Sequence, residues 1–118
     1  MLVNINGNPF EVKLAVTPYA IREGMMGKRF DENFQGMLFL MPNVGNHCFW
    51  MKNCLIPLDI LYIEEDRISK IHSNCEPCRD EDCTSYCGYG SKVLELAGKT
   101  CEELGIKEGD TVEFKLFY

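Results

Sequence analysis

Several features that would point directly to a function are missing from this chain of 118 residues. No apolar run is long enough to cross a membrane, which argues against a membrane partner. The 12 Lys and Arg residues are scattered among 18 Asp and Glu residues, and the net charge of -6 does not favour nucleic-acid binding. Residues 1–5 leave no room for a secretory signal before Asn6-Gly7. These absences predict a cytoplasmic protein, with a mature form whose leader has been removed as the alternative.

What the chain does contain is the ordinary balance of a globular domain. Hydrophobic residues make up 46% and charged residues 25%, so the composition excludes a disordered or fibrous protein. No internal repeat, low-complexity tract or linker divides the sequence. A chain of this length is long enough to bury one core, and we expect a single domain over residues 1–118.

Short apolar runs separated by turn signals predict about seven strands. Eight runs are the candidates for these strands, at residues 1–5, 10–16, 37–41, 47–51, 59–64, 67–73, 92–96 and 111–117. Asn6-Gly7, between the first two runs, is typical of a tight hairpin turn, and Pro42 is expected to end the third. Residues 74–89, rich in Cys, Asp and Gly, indicate an irregular loop.

Two short helices complete the predicted structure. Thr17-Pro18 favours a helix start, and Gly27 is its expected end. Residues 100–103 have the Thr-x-x-Glu pattern of a capping box, which predicts a helix of one or two turns that ends at Gly105. Together these elements predict an α+β, mainly β fold with a small barrel-like sheet.

The most informative segment is residues 49–53, Phe-Trp-Met-Lys-Asn, which holds the only Trp and places polar residues within a core-like run. Apolar walls with a few converging polar groups are typical of binding sites. We therefore predict that Trp50, Lys52, Asn53 and Asp59 bind an unknown small molecule or protein. The structural alternative is that Trp50 fills the core, Lys52 pairs with Asp59, and Asn53 caps a turn.

For catalysis the sequence offers one candidate, Asp59. With a second carboxylate it would hold Mg²⁺, and Lys52 would stabilise developing charge, as in a metal-dependent hydrolase or nuclease. His47 and Cys48 cannot act together, because neighbours on a strand face opposite sides. Cys54 with a histidine lacks a third orienting group. A non-enzymatic accessory protein is the preferred hypothesis.

Seven cysteines are present, and four of them lie in one loop: Cys75, Cys78, Cys83 and Cys87. Two short Cys pairs at these spacings are typical of a closed structural site for one Zn²⁺. Disulfides in an oxidising setting and free thiols are the alternatives. A third hypothesis is that the protein is a structural domain that this Cys loop stabilises through zinc or disulfides. The other cysteines, Cys48, Cys54 and Cys101, are predicted to be small buried hydrophobes.

Residues 14–114 resemble the family known as domain of unknown function 192. The matching segments are Leu14–Pro18, Gly24, Met26, Gly36–Phe39, Phe49–Asn53, Leu55–Asp59, Pro77-Cys78, Val93–Gly98 and Leu104–Asp110. The resemblance implies a compact β-rich domain with no settled activity.

The resemblance also has consequences for individual residues. It implies a loop disulfide between Cys78 and Cys83, with Cys75–Cys87 as a second bridge. This chain has Ala20-Ile21 where the family usually carries Glu-Arg, Lys28 in place of Arg, and Cys54 in place of Thr. Any family function of the Glu-Arg pair is therefore missing from this chain.

Overall fold

The computed structural model describes residues 1–115 and contains one seven-stranded sheet. The elements in chain order are β1 (Leu2–Ile5), β2 (Asn8–Ala15), α1 (Pro18–Glu23), β3 (Gly36–Phe49), β4 (Leu58–Glu64), β5 (Arg67–Cys75), β6 (Tyr86–Ala97), α2 (Thr100–Leu104) and β7 (Val112–Lys115). The order across the sheet is β5-β4-β6-β3-β2-β1-β7. Strands β2 and β3 run parallel, and the other neighbours are antiparallel.

The sheet curls because its two edge strands meet at one end. The N–H of Val112 donates to the carbonyl of Asp66 at 2.7 Å, and the N–H of Ile68 donates to the carbonyl of Asp110 at 3.0 Å. These bonds join the start of β5 to the start of β7. The prediction of an α+β, mainly β fold with a barrel-like sheet and two short helices is confirmed.

An apolar layer covers each face of the sheet, since successive side chains of a strand point to opposite faces. The inner layer takes residues from all seven strands, and Leu38, Leu61 and Leu94 lie side by side in it. The outer layer contains Phe39 and Tyr62 on the opposite face. Residues outside the strands complete this outer layer: Met25, Phe34, Met51 and Cys54.

Strand β3 is longer than predicted because Pro42 does not end it. The pairing of β3 with β6 shifts register between Leu40 and Gly45, and Pro42 lies within this irregular stretch. A proline is tolerated there because its missing N–H interrupts no regular ladder. Strand β6 correspondingly begins at Tyr86, inside the segment predicted to be a loop, where it pairs with the second half of β3.

Local signals predict the turns and the first helix start well. Asn6 and Gly7 both have positive φ, at 53° and 81°, as a tight hairpin turn requires. The Thr17 hydroxyl accepts the N–H of Ala20 at 3.1 Å and caps α1. That helix ends at Gly24, with φ 48°, and not at the predicted Gly27.

The ends of the remaining elements differ in detail from the prediction. The capping box at Thr100 does not form, because the N-cap of α2 is Lys99, which has φ 74° and no side-chain cap bond. Gly105 ends this helix as predicted. Residues 116–117 of the last predicted strand lie outside the described residues. Neither α1 nor α2 has the length and apolar character needed to cross a bilayer.

Candidate functional site

A pocket of about 280 Å³ opens on the outer layer, between the end of α1, the strand β3 and the chain that follows it. Its apolar wall consists of Met25, Met26, Phe39, Met41, Phe49 and Trp50. The rings of Phe39 and Phe49 meet edge to face, with 4.8 Å between their centroids. A mainly apolar, concave wall of this kind is typical of a small-molecule site.

Trp50 lies at the rim of this pocket. The side chain is 46% exposed, so the alternative interpretation, in which Trp50 fills the core, is wrong. Strand β3 ends at the preceding residue, Phe49, whose ring packs against the outer layer. The exposed part of the indole is therefore free to contact a molecule that enters the pocket.

Lys52 and Asn53 form the turn after Trp50 and do not line the pocket. Asn53 has φ 57°, a left-handed conformation that Asn tolerates better than most residues, and its N–H donates to the carbonyl of Cys78 at 2.9 Å. The Lys52 ammonium donates to the carbonyl of Asp80 at 2.9 Å and lies 5.9 Å from the centre of the Trp50 ring. Both residues thus hold the Cys loop against the segment that carries Trp50.

Asp59 is fully buried and acts as the cap of α2. Its carboxylate accepts the backbone N–H groups of Asn74 at 2.7 Å, Lys99 at 3.0 Å and Cys101 at 2.8 Å. Within residues 1–115 Asp59 forms no ion pair, so the predicted bridge to Lys52 is absent. A carboxylate in this position stabilises the fold and is closed to a metal-bound substrate.

The buried polar group of the pocket is Glu95, which the sequence analysis did not single out. The other polar residues that line the pocket, Arg22, Glu23 and His47, are exposed or partly exposed. Glu95 lines the pocket and is 3% exposed. Its neighbours across the sheet are the apolar residues Met37 and Ile60. Burial raises the pKa of Glu95 to about 8, so the side chain is largely neutral at pH 7. One signal was visible in the sequence, since Glu95 is the only charged residue in the apolar run 93–97.

Residues 1–115 contain two disulfides. Cys48 and Cys87 lie directly opposite each other on β3 and β6 and are bonded, and Cys78 is bonded to Cys83. The implied Cys78–Cys83 bridge is confirmed. The implied Cys75–Cys87 bridge is wrong, because strand register places Cys48 opposite Cys87, whereas Cys75 ends β5 and is buried. Cys48 is exposed, contrary to the prediction of a buried hydrophobe.

The four loop cysteines are not assembled as a zinc site. In the described chain up to residue 115, no three side chains of the types His, Cys, Asp and Glu are placed to hold a metal ion. Two of the four predicted ligands are bonded to each other, and a third is bonded to a cysteine outside the loop. The prediction of a structural zinc ion gains no support from this arrangement.

The remaining thiols are buried and protonated. Cys54 and Cys101 are buried as predicted, and Cys75 is buried as well. Burial, with the nearby Glu95 carboxyl, raises the pKa of Cys54 to about 12. Burial also raises the pKa of Cys101 to about 12 and that of Cys75 to about 11. Because the thiolate is the reactive form, none of these groups is an activated nucleophile.

The chain belongs to the domain of unknown function 192 family, described as Uncharacterized ACR, whose sequence profile matches residues 1–114. A protein of unknown function from Novosphingobium aromaticivorans is 34% identical, with a TM-score of 0.83 over 96% of this chain and 84% of that chain. A Sinorhizobium meliloti protein, labelled a candidate transcription regulator, is 32% identical, with a TM-score of 0.81 over 95% of this chain and 89% of that one. No curated protein matches the chain.

Proposed function

We propose that this protein is a non-enzymatic binding domain that takes a small, mainly apolar molecule into the pocket beside Trp50. The observation that carries the proposal is the half-exposed indole at the rim of a cavity of about 280 Å³. The wall offers aromatic rings and flexible Met side chains, which adapt to the shape of an apolar guest. Glu95 is the buried polar group of the pocket and would fix the orientation of the guest.

The segments that carry the family resemblance support the same location. Gly24, Met26, Phe39, Phe49-Trp50 and Glu95 all belong to those segments, and all of them line the pocket. The chain brings them together from the end of α1, from β3 and from β6. This convergence favours a binding role for the pocket over a purely structural role for these segments.

The alternative of a metal-dependent hydrolase or nuclease is less well supported. Asp59, its proposed metal ligand, is buried, and its carboxylate already accepts three backbone N–H groups. The net charge of -6, without a basic stripe, also disfavours a nucleic-acid substrate or partner. The label of the Sinorhizobium protein as a candidate transcription regulator therefore finds no support in the charge of this chain.

The alternative of a stapled structural domain is compatible with the binding proposal. The Cys78–Cys83 bridge stiffens the loop whose Cys78 carbonyl accepts the N–H of Asn53, three residues after Trp50. The loop thereby supports one side of the pocket. Two disulfides are typical of oxidising compartments, which counts against the cytoplasmic location predicted from the sequence.

Trp50 is the only Trp, so its fluorescence reports directly on the pocket. We would titrate the protein with three small molecules of similar shape: choline, neohexyl alcohol and the tert-butylacetate anion. The expected result is a saturable change in Trp50 emission with at least one of them. Free N-acetyltryptophanamide in the same titrations controls for simple collisional quenching.

Calorimetry on two variants locates the binding. Trp50→Ala is expected to lower the affinity for the tightest-binding probe at least tenfold, because the variant loses the contact with the indole at the rim. Tyr89→Ala is the matched control, since Tyr89 is 47% exposed and does not line the pocket. Unsaturable emission changes with all three probes, or equal affinities in wild type and Trp50→Ala, would overturn the proposed function.

A further inference from the structure

We propose that the molecule bound in this pocket carries an organic ammonium group, which lies against the Glu95 carboxylate between the aromatic walls. The inference rests on the proposed function, because it concerns the same pocket. It adds the charge and the chemical class of the ligand.

The position of Glu95 is the main support. Glu95 is only 3% exposed, yet it lines the pocket. Its carboxyl oxygens still reach the pocket, because within residues 1–115 no fully enclosed side-chain oxygen lacks a hydrogen-bond partner. Among residues 1–115 no Lys, Arg or His forms an ion pair with its carboxyl, and no hydrogen bond to that carboxyl is formed. Buried carboxyl groups in proteins are ordinarily paired with a cation or hydrogen-bonded. The missing partner is therefore best sought in the ligand.

The electrostatics of the site favour a cation in that role. Burial alone accounts for the raised pKa of Glu95, because the carboxylate has lost most of its water without gaining a counter-charge. A cation placed beside the carboxyl would supply the counter-charge and favour the ionised form. An anionic ligand would instead add repulsion, and a neutral ligand would leave the carboxyl protonated.

The walls are also suited to a cation. Phe39, Phe49 and Trp50 line the pocket, and their rings attract an ammonium group through their faces. Recognition of quaternary ammonium ions by such clusters of aromatic side chains is widespread. The acidic net charge of -6 adds a general attraction for cations.

Other ionisable groups face Glu95 from the elements around it: Arg22 and Glu23 from α1, His47 from β3, Cys54 after β3, Tyr62 from β4 and Cys75 from β5. Arg22 and Glu23 carry opposite charges at the rim, and Glu23 also pairs with Lys28 at 2.7 Å. Burial raises the pKa values of Cys54, Tyr62 and Cys75 far above neutral pH, so these three groups stay neutral. Among the buried groups, Glu95 is therefore the one whose ionisation a bound cation would favour at neutral pH.

The three probes test this inference because they differ in charge and share a branched head. Choline carries the cation, neohexyl alcohol replaces its nitrogen by carbon, and tert-butylacetate carries an anion. We expect choline to bind at least tenfold more tightly than the other two, and we expect Glu95→Gln to remove this preference. Glu23→Gln is the matched control, because it removes another carboxyl that lines the pocket. This variant is expected to keep the preference for choline.

The pH dependence provides a second readout. Choline has a permanent charge, so any change of its affinity with pH comes from the protein. We expect its affinity to rise roughly tenfold from about pH 6.5 to about pH 8 as Glu95 ionises, and to stay constant in Glu95→Gln. A His47→Gln variant, which removes the histidine that lines the pocket, is expected to keep the rise.

The outcomes separate the two proposals. Equal affinities of choline and neohexyl alcohol for the pocket would contradict the ammonium inference but not the proposed binding function. Tighter binding of tert-butylacetate than of choline would have the same consequence. Saturable binding of none of the three probes would overturn both. A preference for choline that survives in Glu95→Gln would show that the aromatic walls act alone, and would contradict the role of Glu95.

Discussion

The carboxylate of Asp59 accepts a hydrogen bond from the backbone N–H of Cys101 at 2.8 Å, although 42 residues separate them in the chain. The same carboxylate accepts the N–H groups of Lys99 and Asn74. A strand residue therefore caps a helix that has no side-chain cap of its own. This role accounts for a buried acid in an otherwise apolar strand without invoking catalysis.

The first test concerns this cap. Asp59→Asn keeps one carbonyl acceptor and places an amide where donors converge, so we expect it to lower the free energy of unfolding by about 2–4 kcal/mol. Urea unfolding followed by circular dichroism measures the change. The exposed Asp66→Asn is the control and should change little. A stable Asp59→Asn variant that loses a Mg²⁺-dependent nuclease activity of the wild type would contradict the structural role.

The second test concerns the place of Trp50. Because the side chain is half-exposed, Trp50→Ala is expected to cost less than about 1 kcal/mol of unfolding free energy. Phe39→Ala, which empties a fully buried position, is expected to cost about 3–5 kcal/mol. Thermal and urea unfolding of both variants make the comparison. Equal losses of unfolding free energy in the two variants would show that Trp50 contributes to the core as Phe39 does.

The third test concerns the ionisation of Glu95. Below about pH 4.5 Glu95 is protonated in both the folded and the unfolded chain. Between about pH 4.5 and about pH 8 it loses its proton in the unfolded chain but keeps it in the folded chain. The free energy of unfolding should therefore fall across this window, by on the order of 5 kcal/mol. Glu95→Gln is expected to remove this fall and to be the more stable protein at pH 9.

Urea midpoints of wild type, Glu95→Gln and Glu113→Gln between pH 5 and pH 9 measure this effect. Glu113 is exposed and serves as a control for the loss of one carboxylate. Parallel pH profiles for all three proteins would show that Glu95 is not destabilised by burial.

The fourth test concerns the two disulfides. Cys48–Cys87 closes a loop of 39 residues and Cys78–Cys83 closes one of 5, so the chain-entropy term is larger for the first. We expect Cys48→Ser to cost about 3–4 kcal/mol and Cys78→Ser about 2 kcal/mol. Unfolding with and without a reductant measures both losses. If the reductant left the wild-type midpoint unchanged, the bridges would not contribute to stability.

Some features follow from local sequence and others need the folded sheet. The Asn6-Gly7 turn and the Thr17 cap involve residues close in the chain, and local rules predicted both. The continuation of β3 past Pro42 depends on pairing with β6, which no local signal reveals. The predicted capping box at Thr100 is replaced by Asp59 for a similar reason. The Asp59 carboxylate, which accepts the N–H of Cys101, comes from a strand distant in the sequence.

In the candidate site, too, some residues follow from local sequence and others need the folded sheet. Trp50 was predicted because a lone Trp beside polar residues is unusual, and it lines the pocket. Lys52 and Asn53 share that segment, but a turn after β3 directs them to the Cys loop. Glu95 was visible as a charge in an apolar run. Its lack of a partner emerges only when Met37 and Ile60 are placed beside it.

The most direct measurement is a carboxyl-carbon NMR titration of Glu95 with and without saturating choline. Without choline we expect the pKa of Glu95 to lie near 8, and with choline to fall by at least one unit, because a cation beside the carboxyl favours its ionised form. A pKa near the ordinary value of 4.5 in the free protein would contradict the burial of an unpartnered carboxyl. An elevated pKa that choline leaves unchanged would contradict the placement of a cation against Glu95.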